Sequence, residues 1–365
     1  MKSWDAIIIG AGIIGLSLAI ELNKRGLRVL IVEKGEPGRE SSWAAGGMLC
    51  DSPLETHPAL VELAATSARM YPEFVHELQD ESGVKIDLRS VGTLVLTRDG
   101  MGPYGVTGGE IPAATHLEPE LQLRDLTATL LEERSVDPRH LTSAAIAAAR
   151  HREIDFSSGD HVLAVEVIDG KASGVRTNKT HFAAGIVVNC AGAWAGQIGP
   201  HSFPTRPVKG QMLCVVMPHK EMVRHVIRAP EVYLIPRSDG RMLIGATAEE
   251  TGFDKRTIPA TIQQLRQSAL DLVPRLADAR ILEAWAGLRP GTPDKLPILG
   301  ATATPGYFVA TGHFRDGILL APITARVMGK TIAGEKAECD LRAFGAGRFQ
   351  SQDADNFGED QSGCD

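Results

Sequence analysis

Three glycines near the N-terminus have a spacing that suits the binding of a phosphate group. Gly10, Gly12 and Gly15 directly follow a short apolar run. The first glycine allows a sharp turn, the second lets a pyrophosphate approach the backbone, and the third permits a helix to pack closely on a strand. The free N–H groups and the dipole at the start of that helix attract phosphate. The pattern therefore predicts a dinucleotide site.

The flanking residues supply the elements that such a site needs. Residues 6–9 predict a buried strand, apolar residues at helical spacing predict a helix up to Gly26, and residues 29–32 predict a second strand. Glu33 ends this strand, where a carboxylate can accept hydrogen bonds from a ribose. A signal peptide is the alternative, but the interrupting glycines and the lack of a cleavage site argue against it. Glu21 breaks the run too early for a membrane span.

The composition narrows the classes of function. The chain has 365 residues, 43% hydrophobic and 23% charged, which is enough for two domains. A net charge of -7 without a basic patch disfavours nucleic acid as a partner, and stable membrane insertion is not expected. The five cysteines are scattered and form no CxxC pair, which predicts unpaired thiols, a reducing cytoplasm and no metal site.

The remaining chain predicts further helices and strands. A loop rich in Gly, Ser and Ala, residues 35–51, has side chains small enough to line a cofactor. Residues 57–83 predict a helix that Pro72 ends or kinks. Further helices are predicted over 116–123, 136–150 and 258–272, and strands over 92–97, 162–168, 174–177, 181–189, 205–216, 281–288 and 306–310, with a hairpin over 232–246.

Seven motifs occur in the order seen in the D-amino-acid oxidase superfamily. They are GAGIIG, SSWAAGGM, VDPRHL, VVNCAGAWAG, VKGQ, GLRPGTPDKLPILG and GHFRDGILLAP. From about Ile7 to about Ile332, the chain resembles the ThiO-type glycine oxidases of this superfamily. The resemblance implies FAD as the cofactor. No cysteine lies near the GLRP motif, where related enzymes attach their flavin, so we expect FAD to be held non-covalently.

The resemblance also implies which residues contact FAD. The loop around Gly46 and the glycine turn at 313–319 would bring backbone N–H groups to the flavin ring. Together with the first glycine motif, the implied positions are Gly10, Gly12, Ile13, Ile14, Gly15, Glu33, Lys34, Ser41, Ser42, Gly46, Gly47, Met48, Val162, Ala191, Gly192, His313, Phe314, Arg315, Asp316, Gly317, Ile318 and Leu319.

An amino-acid substrate presents a carboxylate, which an arginine fork holds with two hydrogen bonds. The resemblance assigns this role to Arg289, places the Tyr233 hydroxyl on the substrate, and puts Arg315 at the edge of flavin and substrate. It implies oxidative deamination of glycine, sarcosine or small D-amino acids, with dioxygen as acceptor and a link to thiamine biosynthesis. No side chain is predicted to act as a catalytic acid or base, because the amine can bind in its neutral form.

Alternatives stay open at this level. A dehydrogenase of the same fold would pass electrons to a quinone or a dye. A non-catalytic flavin-binding protein or a tRNA-modifying protein is less favoured, because Arg289 and Tyr233 match a substrate site. The span 98–115 is shorter than in the family, and Ala248 replaces a methionine expected over the substrate, which predicts room for a longer side chain. A homo-oligomer is possible.

The expected fold is α/β, with a Rossmann-like FAD-binding domain of the GR2 type interleaved with a substrate domain on a mixed or antiparallel sheet. We assign 1–85, 136–200 and 283–342 to the FAD-binding domain, and 86–135 and 201–282 to the substrate domain. Residues 343–365 are expected to form a disordered tail. Trp194 is expected in the core, and Arg237 and Lys209 are expected to be structural.

Overall fold

A computed structural model describes residues 3–98, 101 and 114–349. The helices are α1 (Ile13–Lys24), α2 (Ser41–Ala44), α3 (Val61–Ser82), α4 (Ala114–Leu117), α5 (Pro138–His151), α6 (Pro259–Leu272) and α7 (Ala321–Ile332). The strands are β1 (Ala6–Ile9), β2 (Val29–Glu33), β3 (Met48–Leu49), β4 (Leu88–Arg89), β5 (Thr93–Thr97), β6 (Thr127–Leu131), β7 (Arg134–Val136), β8 (Asp155–Ser158), β9 (Val162–Ile168), β10 (Lys171–Thr177), β11 (His181–Ala183), β12 (Ile186–Asn189), β13 (Arg206–Val216), β14 (Val226–Arg228), β15 (Tyr233–Pro236), β16 (Arg241–Gly245), β17 (Arg280–Gly291), β18 (Ile298–Ala301) and β19 (Tyr307–Thr311).

The first large sheet has six strands in the order β18-β19-β12-β1-β2-β8. All neighbours pair in parallel except β18 and β19. Strands β1 and β2 are fully buried, as expected for the short apolar runs in a parallel sheet covered on both faces. The predicted strand, helix and strand at the N-terminus are therefore confirmed.

Each face of this sheet is covered by a different layer. Helices α1, α3, α5 and α7 pack against one another and bury one face of the sheet. Asp137 caps the start of α5 by accepting hydrogen bonds from two backbone N–H groups. The three-stranded sheet β11-β10-β9 covers the opposite face. This sandwich of helices, sheet and sheet is the Rossmann-like part of the predicted α/β fold.

The second large sheet has seven strands in the order β17-β13-β16-β15-β14-β5-β6. It is mixed, because β14 and β5 pair in parallel and the other neighbours are antiparallel. The predicted hairpin is present as β15 and β16. Helix α6 buries one face of this sheet, and the other face carries residues of the site described below.

Two boundary predictions were wrong. The proposed domain boundary at residue 283 cuts through β17, which pairs with β13 over residues 280–291 and so belongs to the second sheet. Of the two alternatives for Pro72, the structure excludes the one in which it ends the helix, because Pro72 lies inside α3. The predicted tail begins too early, because Phe344 is buried and Arg348 pairs with Asp294. Residues 350–365, and most of the shortened span 98–115, lie outside the described residues.

Within the described ranges, we find no helix that is both long and apolar enough to cross a membrane. Those ranges also contain no group of His, Cys, Asp and Glu side chains that could hold a metal ion. Four of the cysteines lie within the described ranges, and all four are free thiols.

Candidate active site

A cavity opens between the two large sheets, with a volume of about 410 Å³. This lies within the range of roughly 300–1,000 Å³ that is usual for ligand sites. One end is lined by the glycine turn after β1, and the other by one face of the seven-stranded sheet. A single ligand can thus touch both sheets at once.

The glycine turn leaves the start of α1 open to the cavity. A Cβ on Gly15 would lie 2.1 Å from the Gly10 carbonyl oxygen, so the close packing of helix and strand requires a glycine there. The N-cap residue of α1 is Gly12, which provides no side-chain cap, and the first turn carries no acidic residue. The positive end of its dipole therefore faces the cavity without a competing anion from its first turn, which suits a phosphate group.

Glu33 lies at the tip of β2 and lines the cavity. Its carboxylate accepts hydrogen bonds from the Ala11 N–H at 2.8 Å and from the Gly35 N–H at 2.9 Å. These contacts hold the glycine turn against β2. A carboxylate has about four acceptor positions, so two remain for another partner.

The loop after β2 requires small residues. Gly47 has φ +76, and a Cβ on it would lie 2.0 Å from the Val136 carbonyl oxygen. A Cβ on Gly46 would lie 2.6 Å from Ile235 Cδ1. Ser42 Oγ accepts a hydrogen bond of 2.9 Å from the Ile13 N–H, which ties this loop to the start of α1. The loop therefore lies close against both ends of the cavity.

The floor of the cavity is one face of the seven-stranded sheet. Directly paired residues on neighbouring strands share a face, so the register places Tyr233, Gly245 and Met212 side by side. Gly210 precedes Met212 by two residues and pairs with Gly287, which puts both glycines on that same face. Neighbouring side chains fill the space above these glycines: Ala44 lies over Gly287, and Tyr233 and Met212 lie over Gly245.

Arg289 follows Gly287 by two residues, and its side chain lies over Gly210. A Cβ on Gly210 would come within 2.5 Å of Arg289 Nη2 and 2.6 Å of Nη1. Nη1 donates a hydrogen bond of 2.9 Å to the Thr247 carbonyl oxygen, and the guanidinium lines the cavity. One edge of the guanidinium is thus held by the backbone, while its other donors are available to an anion.

Two other predicted substrate contacts border the same space. The Tyr233 ring lies against Met212, with the hydroxyl 3.9 Å from Sδ, and lines the cavity. Arg315 also lines the cavity, but its side chain is exposed at the mouth. Beside it, burial raises the pKa of Asp316 to about 6. His313 is buried within hydrogen-bond distance of Thr324, and burial lowers its pKa to about 3, so the ring is neutral near pH 7.

The structure brings nearly all predicted residues to one cavity. Gly15 and Leu319 do not line it, because they pack behind the residues that do. Ala248, expected over the substrate, is exposed and lies outside the cavity lining. Arg237 is structural as predicted: it is buried and donates hydrogen bonds to the Val136 and Gly46 carbonyl oxygens.

Trp194 was wrongly expected in the core. It lines the cavity, and Lys34 Nζ lies 2.9 Å from the centre of its ring, a cation–π contact. Burial lowers the pKa of Lys34. Sequence reasoning missed Glu55 and Arg228, which line the cavity outside the recognised motifs, whereas Cys50 lies within the predicted cofactor-lining loop 35–51.

Comparison with known proteins identifies the family. The family model DAO, described as FAD dependent oxidoreductase, matches residues 5–331. This chain belongs to that family. The resemblance to the D-amino-acid oxidase superfamily and the predicted fold class are thereby confirmed, and FAD is the cofactor. The start of α1 beside Gly10 and Gly12 provides the phosphate site that FAD needs, and the loop of Gly46 and Gly47 lines the same cavity.

The most similar proteins include bifunctional and single-function relatives. The Bifunctional protein ThiO/ThiG of Trichormus variabilis is 36% identical over 95% of this chain, but the chain spans only 55% of that protein. Glycine oxidase of Pseudomonas aeruginosa is 33% identical and is covered over 99% of its length, with 94% of this chain aligned. Among solved structures, glycine oxidase from Geobacillus kaustophilus matches with a TM-score of 0.89 at 31% identity, over 95% of this chain and 99% of that one.

Proposed function

We propose that this protein oxidises glycine or another small amino acid or amine, such as sarcosine or a small D-amino acid. The products are the oxo acid, ammonia and hydrogen peroxide. The observation that carries the proposal is the Arg289 guanidinium, which lies inside the same cavity as the open helix start. Relatives that are named glycine oxidase support this substrate class.

Arg289 binds the substrate carboxylate in this proposal. Its one contact to the Thr247 carbonyl oxygen fixes the plane of the guanidinium, so a carboxylate can take the remaining donors in bidentate fashion. Tyr233 Oη donates a hydrogen bond to the same carboxylate from the neighbouring part of the floor. These two contacts fix the orientation of the substrate Cα above the glycine floor.

The remaining residues hold the cofactor in this proposal. We assign the pyrophosphate to the start of α1, a ribose to Glu33, and the flavin ring to the space between Gly46, Gly47 and the turn 313–318. Bound FAD would supply the acceptor for a hydride from the substrate Cα, with dioxygen as the proposed final electron acceptor. The substrate amine binds neutral, so no side-chain base is assigned. Water hydrolyses the released imine to the oxo acid and ammonia.

The test is the turnover of glycine, sarcosine and D-alanine by the purified yellow protein. We expect peroxide in air, and bleaching of the flavin absorbance by the same substrates without oxygen. Bleaching and dye reduction without peroxide would show the alternative dehydrogenase activity. If none of the three amines bleaches the flavin, the proposed substrate class is wrong.

We also propose a role in thiamine biosynthesis, which the names of the ThiO/ThiG relatives support. The test uses a strain that lacks its own amine oxidase of this pathway. Expression of this chain should restore its growth without thiamine. The cytoplasmic location, the non-covalent attachment of FAD and a homo-oligomeric state stay predictions.

A further inference from the structure

A buried charged cluster forms a separate part of the cavity wall. Arg228 is 5% exposed and Glu133 is 4% exposed. Arg228 Nη2 lies 2.9 Å from Glu133 Oε2 and also pairs with Glu55, while Nη1 contacts Cys50 Sγ. Arg228, Glu55 and Cys50 line the cavity. The proposed reaction uses none of these side chains, although burying a charged group lowers the stability of a fold.

The register places this cluster on the same floor as the predicted substrate contacts. Arg228 ends β14 and pairs directly with Tyr233 on β15, so their side chains project from the same face of the sheet. Neighbouring strands are about 4.8 Å apart, and β14 is three strands from β13, where the Arg289 guanidinium lies over Gly210. Two guanidinium groups therefore face one cavity from opposite sides of Tyr233.

The donors of Arg228 are incompletely used. Among the described residues, Arg228 Nε has no hydrogen-bond partner, and the ion pairs at Nη2 lack hydrogen-bond geometry. A guanidinium carries five N–H donors, and a buried donor without a partner destabilises the fold. A further acceptor that enters from the cavity would satisfy these donors.

The two glutamates differ in how firmly they are held. The Glu133 side chain is 2% exposed, whereas the Glu55 side chain is 26% exposed and lies in the irregular segment between β3 and α3. A carboxylate of the substrate can replace Glu55 at Arg228 without changing the net charge of the cluster. Burial raises the pKa of both Glu133 and nearby Asp316. The ionised forms of these two carboxyl groups are therefore disfavoured in this part of the wall.

We propose that Arg228 binds a second carboxylate of the substrate, and that Glu55 occupies this position until the substrate arrives. The site then prefers small amino acids or secondary amines that carry a distal carboxylate. This inference rests on the proposed function, because it takes Arg289 as the partner of the first carboxylate.

The experiment compares matched substrates with and without the second charge. The pairs are D-aspartate with D-asparagine, D-glutamate with D-glutamine, and iminodiacetate with sarcosine. We expect the charged member of at least one pair to have a kcat/KM about tenfold above that of its neutral partner. If the neutral member is preferred in all three pairs, the inference is wrong while the proposed function stands. If none of the six is oxidised while glycine or D-alanine is, the inference is wrong and the proposed function stands; if glycine and D-alanine fail as well, both are wrong.

Two variants assign the preference to the cluster. The double variant Arg228→Gln with Glu133→Gln removes one charge of each sign, and its folding is checked by retained FAD absorbance. We expect its charged-to-neutral ratio to fall to about one or below. Glu55→Gln removes the internal competitor, so the ratio should rise about threefold or more.

Glu231→Gln is the matched control. Glu231 is exposed in the turn between β14 and β15, and its replacement removes the same negative charge as Glu55→Gln. We expect the control ratio to change less than about twofold, because exposed charges are screened by salt. A ratio that the double variant leaves unchanged, or that Glu55→Gln lowers, overturns the inference. If the double variant fails to fold, the comparison of Glu55→Gln with the control decides.

Discussion

Replacing Gly210 by alanine tests the geometry of the substrate site without touching a charged group. The added Cβ would lie 2.5–2.7 Å from Nη2, Nη1 and Cζ of Arg289. Carbon contacts normally begin near 3.5 Å, so the guanidinium must move by about 1 Å. Gly210 lies within β13 and has no left-handed φ, so alanine suits the backbone and the fold should be kept.

The displacement of Arg289 breaks its paired contact with the substrate. A hydrogen bond to a charged group contributes about 1.5–3 kcal/mol, which corresponds to roughly a 10- to 150-fold loss in kcat/KM. The loss should fall mainly on KM for the amino acid, because Arg289 holds the substrate before and during the reaction. The FAD content should not change, since Gly210 lies in the seven-stranded sheet and the glycine turn follows β1 of the six-stranded sheet.

The assay is steady-state peroxide release, with FAD content read from the visible absorbance. Gly185→Ala is the control, because its Cβ would meet nothing within 4 Å and its φ is not left-handed. The reasoning is refuted if Gly210→Ala keeps the parent KM, or if it loses FAD in proportion to activity.

Four further substitutions at three positions test other parts of the site. Arg289→Ala should raise KM strongly while FAD stays bound. Arg289→Lys keeps the charge but should still raise KM about tenfold or more, since lysine lacks the planar fork. Steady-state kinetics with FAD quantification check both variants. Ser42→Ala should lower the Tm by about 2–4 °C, because the Ile13 N–H loses its acceptor, and an equal Tm in thermal unfolding would contradict this. Asp316→Asn tests the pH dependence of stability. The pKa of Asp316 is about 6 in the folded protein, which is above that of the unfolded carboxyl. The ionised group therefore destabilises the fold above about pH 6, and this destabilisation is absent below about pH 4. The variant should therefore unfold at a higher temperature than the parent at pH 7.5 and at the same temperature at pH 4.

The sequence alone determined the nucleotide-binding element. Gly10, Gly12 and Gly15 act on their own turn and helix, and Glu33 follows after a single helix and strand, so local spacing was sufficient to predict them. The family resemblance predicted Arg289 and Tyr233 as substrate contacts, and the structure places both at one cavity. Trp194 was misjudged because the spacing of a single aromatic residue does not distinguish a cavity wall from a core.

Only the tertiary structure decided what surrounds those residues. Gly210 lies beneath Arg289, and Arg228 lies beside Tyr233, because the register of β17, β13, β15 and β14 brings them to one face of a mixed sheet. The chain order of these strands differs from their order in the sheet, so no spacing along the sequence encodes the juxtaposition. The pairing of Arg228 with Glu133 and Glu55 likewise depends on three segments that meet only in the folded molecule.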